Sequence, residues 1–320
     1  MSHGINTFLI QKHRSAFSLI ELIVLMAILG LLAALVLTAV QSARESARRT
    51  ACQSNLHQLG VAIEAFEGVN GHLPAGASVR NFSLHVQLLP YVEQTGMHAQ
   101  ILGNADEDGH SSRFRTTLVP VFVCPSDGGA LLYSAADVDG AESAASWAPT
   151  SYSGNYGSGF QKHGYNGAFA YAAIESGSFS DGRANTAAMS EVLVGDGTED
   201  PLRISWKTIE PLTAPAELDV FAAKCIDPDF RVPTLLKYQR GRPWTEGQVV
   251  TTLYNHVITP NQPFCANGGF ALEGAYPPSS NHNAAVNVLF GDGRVDFVSE
   301  KIALEVWRKM GSRNGDGPHS

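Results

Sequence analysis

The chain has 320 residues, with 22 Lys and Arg against 30 Asp and Glu and a net charge of −8. That acidic balance argues against nucleic acid or anionic lipid surfaces as partners, because both are bound through clustered Lys and Arg. With 31 Gly, 16 Pro and only 16% charged residues, the chain beyond its apolar N-terminal run reads as loop-rich and β-rich, long enough for one large or two small cores.

Ala16-Phe17-Ser18-Leu19-Ile20-Glu21 opens a run in which only Ser18, Glu21 and Thr38 are polar as far as Val40. A helix of that length is roughly 36 Å long, enough to cross a hydrocarbon core of about 30 Å with some tilt. A secretory signal peptide is the plain alternative, with Lys12, His13 and Arg14 as its basic region and cleavage near Ala39. Its apolar region would be unusually long, and it leaves Glu21 unexplained. A charge buried at one end of a membrane helix costs a few kcal/mol on insertion scales, so its presence suggests a function.

These residues resemble the type IV prepilin and pseudopilin N-terminus, whose consensus is Gly-Phe-Thr-Leu-Ile-Glu. The resemblance implies a prepilin peptidase that cuts between Ala16 and Phe17 and methylates the new amine. It also implies that Glu21 pairs with the amine of a neighbouring pilin-like subunit during assembly, a suitable partner for a carboxylate in lipid. Ala16 stands where the family usually has Gly. Loss of Lys12 and Arg14 with the leader would leave 20 basic against 30 acidic residues, a mature charge of −10. Arg44, Arg48 and Arg49 follow the span, so a count of basic residues near its ends points weakly to the opposite orientation. The processing motif outweighs the count, because the peptidase acts on the cytoplasmic face. The expectation is a single-pass inner-membrane protein with a cytoplasmic N-terminus and its bulk in the periplasm.

The helix should continue beyond the membrane. Between Gln41 and Phe66 there is no Pro, and only Gly60 interrupts good helix formers. Cys52, Leu56, Leu59, Ile63 and Phe66 recur at spacings of four and three, one apolar stripe. Gly68, Asn70-Gly71 and Pro74 supply stop signals. The segment Leu59 to Pro74 also resembles the helix exit of major pseudopilins.

Further segments are similar to a narrower family. Leu88-Leu89-Pro90-Tyr91-Val92-Glu93-Gln94, Phe122-Val123-Cys124-Pro125-Ser126-Asp127, Ser153-Gly154-Asn155-Tyr156-Gly157, Asp181-Gly182 with Asn185-Thr186 and Glu191, and Ser280-Asn281-His282 run in order. Nine residues after His282 comes Asp292-Gly293. Together they resemble the large prepilin-type family described as domain of unknown function 1559, with a C-terminal His-x9-Asp-Gly motif. That resemblance marks Cys124, Asp127, Asp181, Asn185, Glu191, His282, Asp292 and Gly293 as family-motif residues and carries no enzymatic activity with it.

The last motif also has a physical reading. Val286, Val288 and Phe290 alternate, Asp292-Gly293 is a two-residue turn signal, and Val295 and Phe297 alternate on the return. This predicts a β-hairpin with Phe290 opposite Val295. A straight strand would hold His282 roughly 30 Å from Asp292, so the two should not share a centre. His282, between Asn281 and Asn283, reads first as a partner for loop backbone and second as a site residue.

Asn104-Ala105-Asp106-Glu107-Asp108-Gly109 matches the first half of a calcium loop, but position twelve is Arg115 instead of a bidentate Glu. A solvated acidic loop is the first reading, and calcium on Asn104, Asp106 and Asp108 is the alternative, because some pseudopilins bind calcium in a loop near the sheet. No other cofactor is implied. Asp137 to Glu142 is a second acidic turn of similar kind.

Cys52, Cys124, Cys225 and Cys265 contain no Cys-x-x-Cys, which speaks against zinc. Outside the cytoplasm they suggest disulfides, with three connectivities open. Cys52 on the helical stripe and Cys124 at the end of a strand Leu118–Val123 would pin helix to sheet, leaving Cys225 with Cys265; four unbridged thiols are the alternative. There is no His-Glu-x-x-His, Gly-x-Ser-x-Gly or phosphate loop. The Gly- and Tyr-rich stretch from Tyr152 to Tyr171 suits exposed loops or short strands able to touch a glycan or another subunit.

The expected fold is α+β: a long N-terminal transmembrane and spine helix on an antiparallel β-sheet, pilin-like, with a loop-rich β insertion over roughly residues 130–280. The expected boundaries are a leader over 1–16, a membrane helix over 17–40, its extension over 41–68, a head over 69–310 and a flexible tail over 311–320. The expected function is a structural, non-enzymatic subunit or accessory of a type II secretion or type IV pilus-like system. The alternative is an extracytoplasmic ligand- or glycan-binding module that uses the helix only as an anchor.

Overall fold

The computed structural model describes residues 18–78, 80–104, 112–131, 147–159, 166–198, 200–212, 217–233, 240–268 and 273–315. The chain divides into two units, residues 1–47 and 48–320. Helix α1 (Leu19–Asn70) begins in the first and ends in the second. In the first unit every large apolar side chain from Leu19 to Val40 is exposed, as suits a helix solvated by lipid.

In the second unit α1 buries Cys52, Leu56, Leu59, Ile63 and Phe66, together with Gly60 and Ala62. Gly60 is a point of close approach: a Cβ there would lie 2.9 Å from Leu289 Cδ1. The helix stops where Gly71 takes φ +76° and its N–H reaches Glu67 O at 2.8 Å, the left-handed cap that Gly favours. Short helices follow: α2 (Leu84–Leu88), α3 (Thr95–Asn104), α4 (Ser112–Arg115) and α5 (Gly128–Leu131). Leu118–Val123, expected as a strand, instead contains a 3-10 turn over Pro120–Phe122. Pro120 has no N–H for a ladder, and Phe122 N instead donates to Val119 O at 3.0 Å.

The main sheet has five strands: β1 (Tyr152–Asn155), β2 (Ala187–Glu191), β5 (Leu253–Tyr254), β8 (Ala285–Phe290) and β9 (Val295–Ser299), in the order β5-β1-β2-β8-β9. All its pairs are antiparallel except β1 with β5, which is parallel, so the sheet is mixed. Every residue of β1, β2 and β8 is buried. On one face Met189 and Leu289 join the stripe of α1 in the largest core. On the other, Val286, Val288 and Phe290 pack with Trp307 of α7 (Leu304–Gly311). A second sheet is formed by β3 (Trp206–Thr208), β4 (Arg231–Pro233), β6 (Cys265–Ala266) and β7 (Gly274–Ala275), in the order β4-β3-β6-β7. It shares a small core with α6 (Leu218–Ile226).

Three further expectations need correction. Residues 130–280 are not one insertion, since β1, β2 and β5 belong to the main sheet and only the second sheet is added. The hairpin pairs Leu289 with Val295, one residue off the predicted register. Phe290 N donates to Arg294 O and Gly293, at φ +86°, donates to Phe290 O, so the loop has three residues with Gly in the left-handed position. The expected tail is packed as far as Gly315: Ser312 is buried, Arg313 N donates to Asn166 O, and Gly315 N donates to Asp181 Oδ2 at 2.6 Å.

Two buried histidines should make the stability of the second unit depend on pH. His256 stacks on Trp307 with ring centroids 3.8 Å apart, and its Nδ1 lies 2.8 Å from Trp307 O. His85 sits edge-on to Phe122, with Nε2 3.2 Å from Thr150 Oγ1. Burial pushes each down to about 3. The unfolded chain, with histidines near 6.5, then binds more protons, so stability falls as pH drops from about 6.5 toward 3. Each histidine should contribute close to tenfold per pH unit to the folding constant. Urea titrations between pH 7 and 4 should show this slope, and His256→Phe, which keeps the stacked ring, should reduce it.

Candidate functional site

In the first unit the N-terminal site rests on Glu21. Its Oε2 accepts the Ser18 N–H at 2.8 Å in the first turn of α1, where free N–H groups and the helix dipole favour an anion. No other acidic or basic residue lies between it and Arg44. Ala16 and Phe17 lie outside the described residues, as do Asp106 and Asp108, and Asn104 ends α3. The acidic turn at residues 137–142 is likewise outside them.

In the second unit, segments far apart in sequence converge on one buried polar centre. Cys52 of α1 is bridged to Cys124, in the loop after the 3-10 turn, and Cys225 of α6 to Cys265 of β6, so only the second bridge joins a helix to a strand. Glu191 closes β2 and His282 lies in the loop before β8, both at most 2% exposed. His282 Nε2 is 3.3 Å from Glu191 Oε1 and 3.9 Å from Cys124 Sγ, while Cys124 Sγ is 4.0 Å from Glu191 Oε1. The Glu191 carboxylate accepts Asn287 N at 2.9 Å and Asn287 Nδ2 at 2.8 Å. Gln53, beside Cys52 on α1, donates to Asn287 Oδ1 at 3.0 Å. Ser280 Oγ accepts the His282 N–H at 2.9 Å. The Nε2 side of the His282 imidazole therefore faces the carboxylate and the sulfur.

Asp127 is held beside this centre. Its carboxylate accepts Gly129 N, Ser151 Oγ and Val194 N at 2.9 to 3.1 Å and pairs with Arg203 Nη1 at 2.8 Å. A narrow cleft lined by Cys124, Ser126, Asp127, Glu191, Ser280 and Asn281 lies over both. The other motif residues lie elsewhere. Asn185 Nδ2 donates to Asp181 O at 2.8 Å, and Asp181 Oδ2 accepts Gly315 N. Asp292 and Gly293 shape the β8–β9 turn, where Asp292 Oδ1 accepts Arg294 N at 3.1 Å.

Sequence reasoning missed Gln53, Asn287, Arg203 and Arg240. Gln53 and Asn287 carry one usable signal, being polar residues next to apolar stripe positions. Arg203 and Arg240 carry none. Arg240 is buried and donates to Pro277 O at 2.9 Å and Ser279 Oγ at 2.8 Å; burial and then the neighbouring Arg203 push it down to about 9. A pocket of about 200 Å³ elsewhere in this unit is bordered by Glu64, Glu67, Phe179 and Arg183, with Arg183 Nη1 2.7 Å from Glu67 Oε2.

Two family models match the chain. The prokaryotic N-terminal methylation motif covers residues 11–37, and the family described as "Protein of unknown function (DUF1559)" covers residues 41–305. Comparison with curated proteins and with solved structures gave no significant match. The methylation motif and the exposed apolar run of α1 make this a prepilin-type, membrane-anchored protein. With most of its length matched, from α1 through the buried centre to the start of α7, the chain belongs to the DUF1559 family.

Proposed function

We propose that this protein is a structural, non-enzymatic subunit or accessory of a type II secretion or type IV pilus-like assembly. The observation that carries this reading is the methylation motif over residues 11–37 with Glu21 as the one charge in the exposed apolar run of α1 up to Val40. Prepilin peptidase cuts before Phe17 on the cytoplasmic face and methylates its amine, and the second unit lies in the periplasm. Glu21 then pairs with the Phe17 ammonium of a neighbouring subunit, because a carboxylate in lipid needs a counter-charge.

Mass spectrometry of the mature chain should find N-methylated Phe17 as its first residue; a start near Val40 overturns the reading. Glu21→Ala should leave membrane insertion intact and cut co-purification of pilin-like subunits at least tenfold. The pocket beside Phe179 and Arg183 favours a second reading, an extracytoplasmic binding module anchored by the helix. Unchanged localisation and interactions in Glu21→Ala would select it.

A further inference from the structure

We propose that Cys52, Cys124, Glu191 and His282, once the Cys52–Cys124 disulfide is reduced, form a four-coordinate site for a zinc-like divalent cation. Metal and disulfide are then alternative states of one pair of sulfurs. The donor set is two thiolates, a carboxylate and an imidazole, all buried and all within 4.8 Å of one another. Around a tetrahedral ion with bonds of about 2.0 to 2.3 Å, ligand atoms lie roughly 3.3 to 3.8 Å apart. The contacts of 3.3, 3.9 and 4.0 Å among His282, Cys124 and Glu191 are already close to those edges. The covalent sulfur–sulfur edge opens on reduction, and the two remaining edges, from Cys52 Sγ to Glu191 and to His282, are no longer than 4.8 Å.

The surroundings are those of a metal site. Asn287 orients the Glu191 carboxylate through two hydrogen bonds, and Gln53 orients Asn287. Such outer contacts fix ligand geometry at zinc centres. A small cleft borders two of the four donors, Cys124 and Glu191. The second disulfide provides the contrast. Cys225 and Cys265 are packed among Leu218, Phe221, Ala222, Val257, Ile258 and Ala275, and among the described residues they belong to no group of carboxylates and imidazoles close enough to share an ion. A bridge that only staples two elements needs neither group.

The chemistry balances with a dithiol as reductant. Two electrons and two protons pass from the dithiol to the protein disulfide, leaving two protein thiols and the donor's own disulfide. The cation then displaces the two thiol protons. In reverse, a disulfide oxidant takes two electrons from the thiolates and two protons from water to become a dithiol, the sulfur–sulfur bond closes and the ion leaves.

The test uses the full chain in detergent, with Cys225→Ser and Cys265→Ser so that only one pair of sulfurs remains. Reduced by a phosphine without oxygen, it should bind one equivalent of Co²⁺, with thiolate charge-transfer and tetrahedral ligand-field bands that Zn²⁺ displaces. The oxidised protein should bind none. Glu191→Gln and His282→Gln should each weaken binding at least tenfold. Spectra matching those of Cys52→Ser/Cys124→Ser, or unchanged affinity in both ligand variants, would overturn the proposal. A second measurement uses the unsubstituted chain, reduced and loaded with Zn²⁺. Adding a disulfide oxidant should release zinc in step with the Cys52–Cys124 bridge mapped by peptide mass spectrometry, and re-formation of that bridge with zinc retained would equally overturn it.

Discussion

Replacing Cys52 and Cys124 together by serine is expected to lower the unfolding free energy of the second unit by about 4 kcal/mol. The bridge closes a loop of 72 residues, and loop-closure entropy restored to the unfolded chain supplies nearly all of that figure. The location raises the consequence. Cys52 and Cys124 belong to the largest core, and Asn55 Nδ2 to Val123 O and Tyr152 hydroxyl to Cys52 O are hydrogen bonds beside the bridge. Without the bridge α1 is held to the sheet by packing and by hydrogen bonds such as Tyr152 hydroxyl to Cys52 O and Gln53 to Asn287. Removal of Cys225 and Cys265, which close 40 residues, should cost slightly less on the same argument, and it should loosen only the smaller sheet. Urea unfolding of the full chain in detergent, monitored by Trp fluorescence, checks both. A loss below about 1 kcal/mol for the first pair would show that the unfolded chain is already constrained there.

Arg203→Met should cost about 3 to 5 kcal/mol, the range for breaking a buried ion pair from one side. Arg203 is 6% exposed and Asp127 2% exposed. The guanidinium reaches Asp127 Oδ1 at 2.8 Å and Val194 O at 2.7 Å, with Asp196 and Asp200 at 3.4 and 3.6 Å. Methionine fills the volume but leaves the Asp127 charge in a dry site beside Cys124 and Glu191. Asp127→Asn in the same chain should recover part of the loss, because the amide oxygen can still accept from Ser151 and Val194 without a charge. A double-mutant cycle by urea unfolding measures this coupling. A sum of the two single effects would show that the pair does not interact.

The legible parts of this protein are those written in local periodicity. The apolar run to Val40, the stripe from Cys52 to Phe66 and the stop at Gly71 describe α1 (Leu19–Asn70) to within a residue or two. The alternation after Ala284 described a hairpin, although its three-residue loop shifted the register by one. β1 was not legible as a central strand. Its Tyr-Ser-Gly-Asn sequence has no apolar alternation, since both faces are buried and the room is taken by neighbours: a Cβ on Gly154 would meet Leu84 and Phe169 within 3 Å. The two-sheet arrangement was hidden for the same reason, because strands of two or three residues carry no period.

The sequence alone determined the membrane segment, the processing motif and the single carboxylate within it, because one helix in lipid must satisfy its own backbone and show its apolar side chains within consecutive residues. It also determined that four cysteines were available, and their spacing spoke against zinc. Only the tertiary structure decided what surrounds them. Cys124 meets Glu191 across 67 residues and His282 across 158, and Arg203 meets Asp127 across 76. Such meetings follow from how strands from distant segments pair and which faces they bury. They leave no period in the chain, and so the buried centre became visible only in the fold.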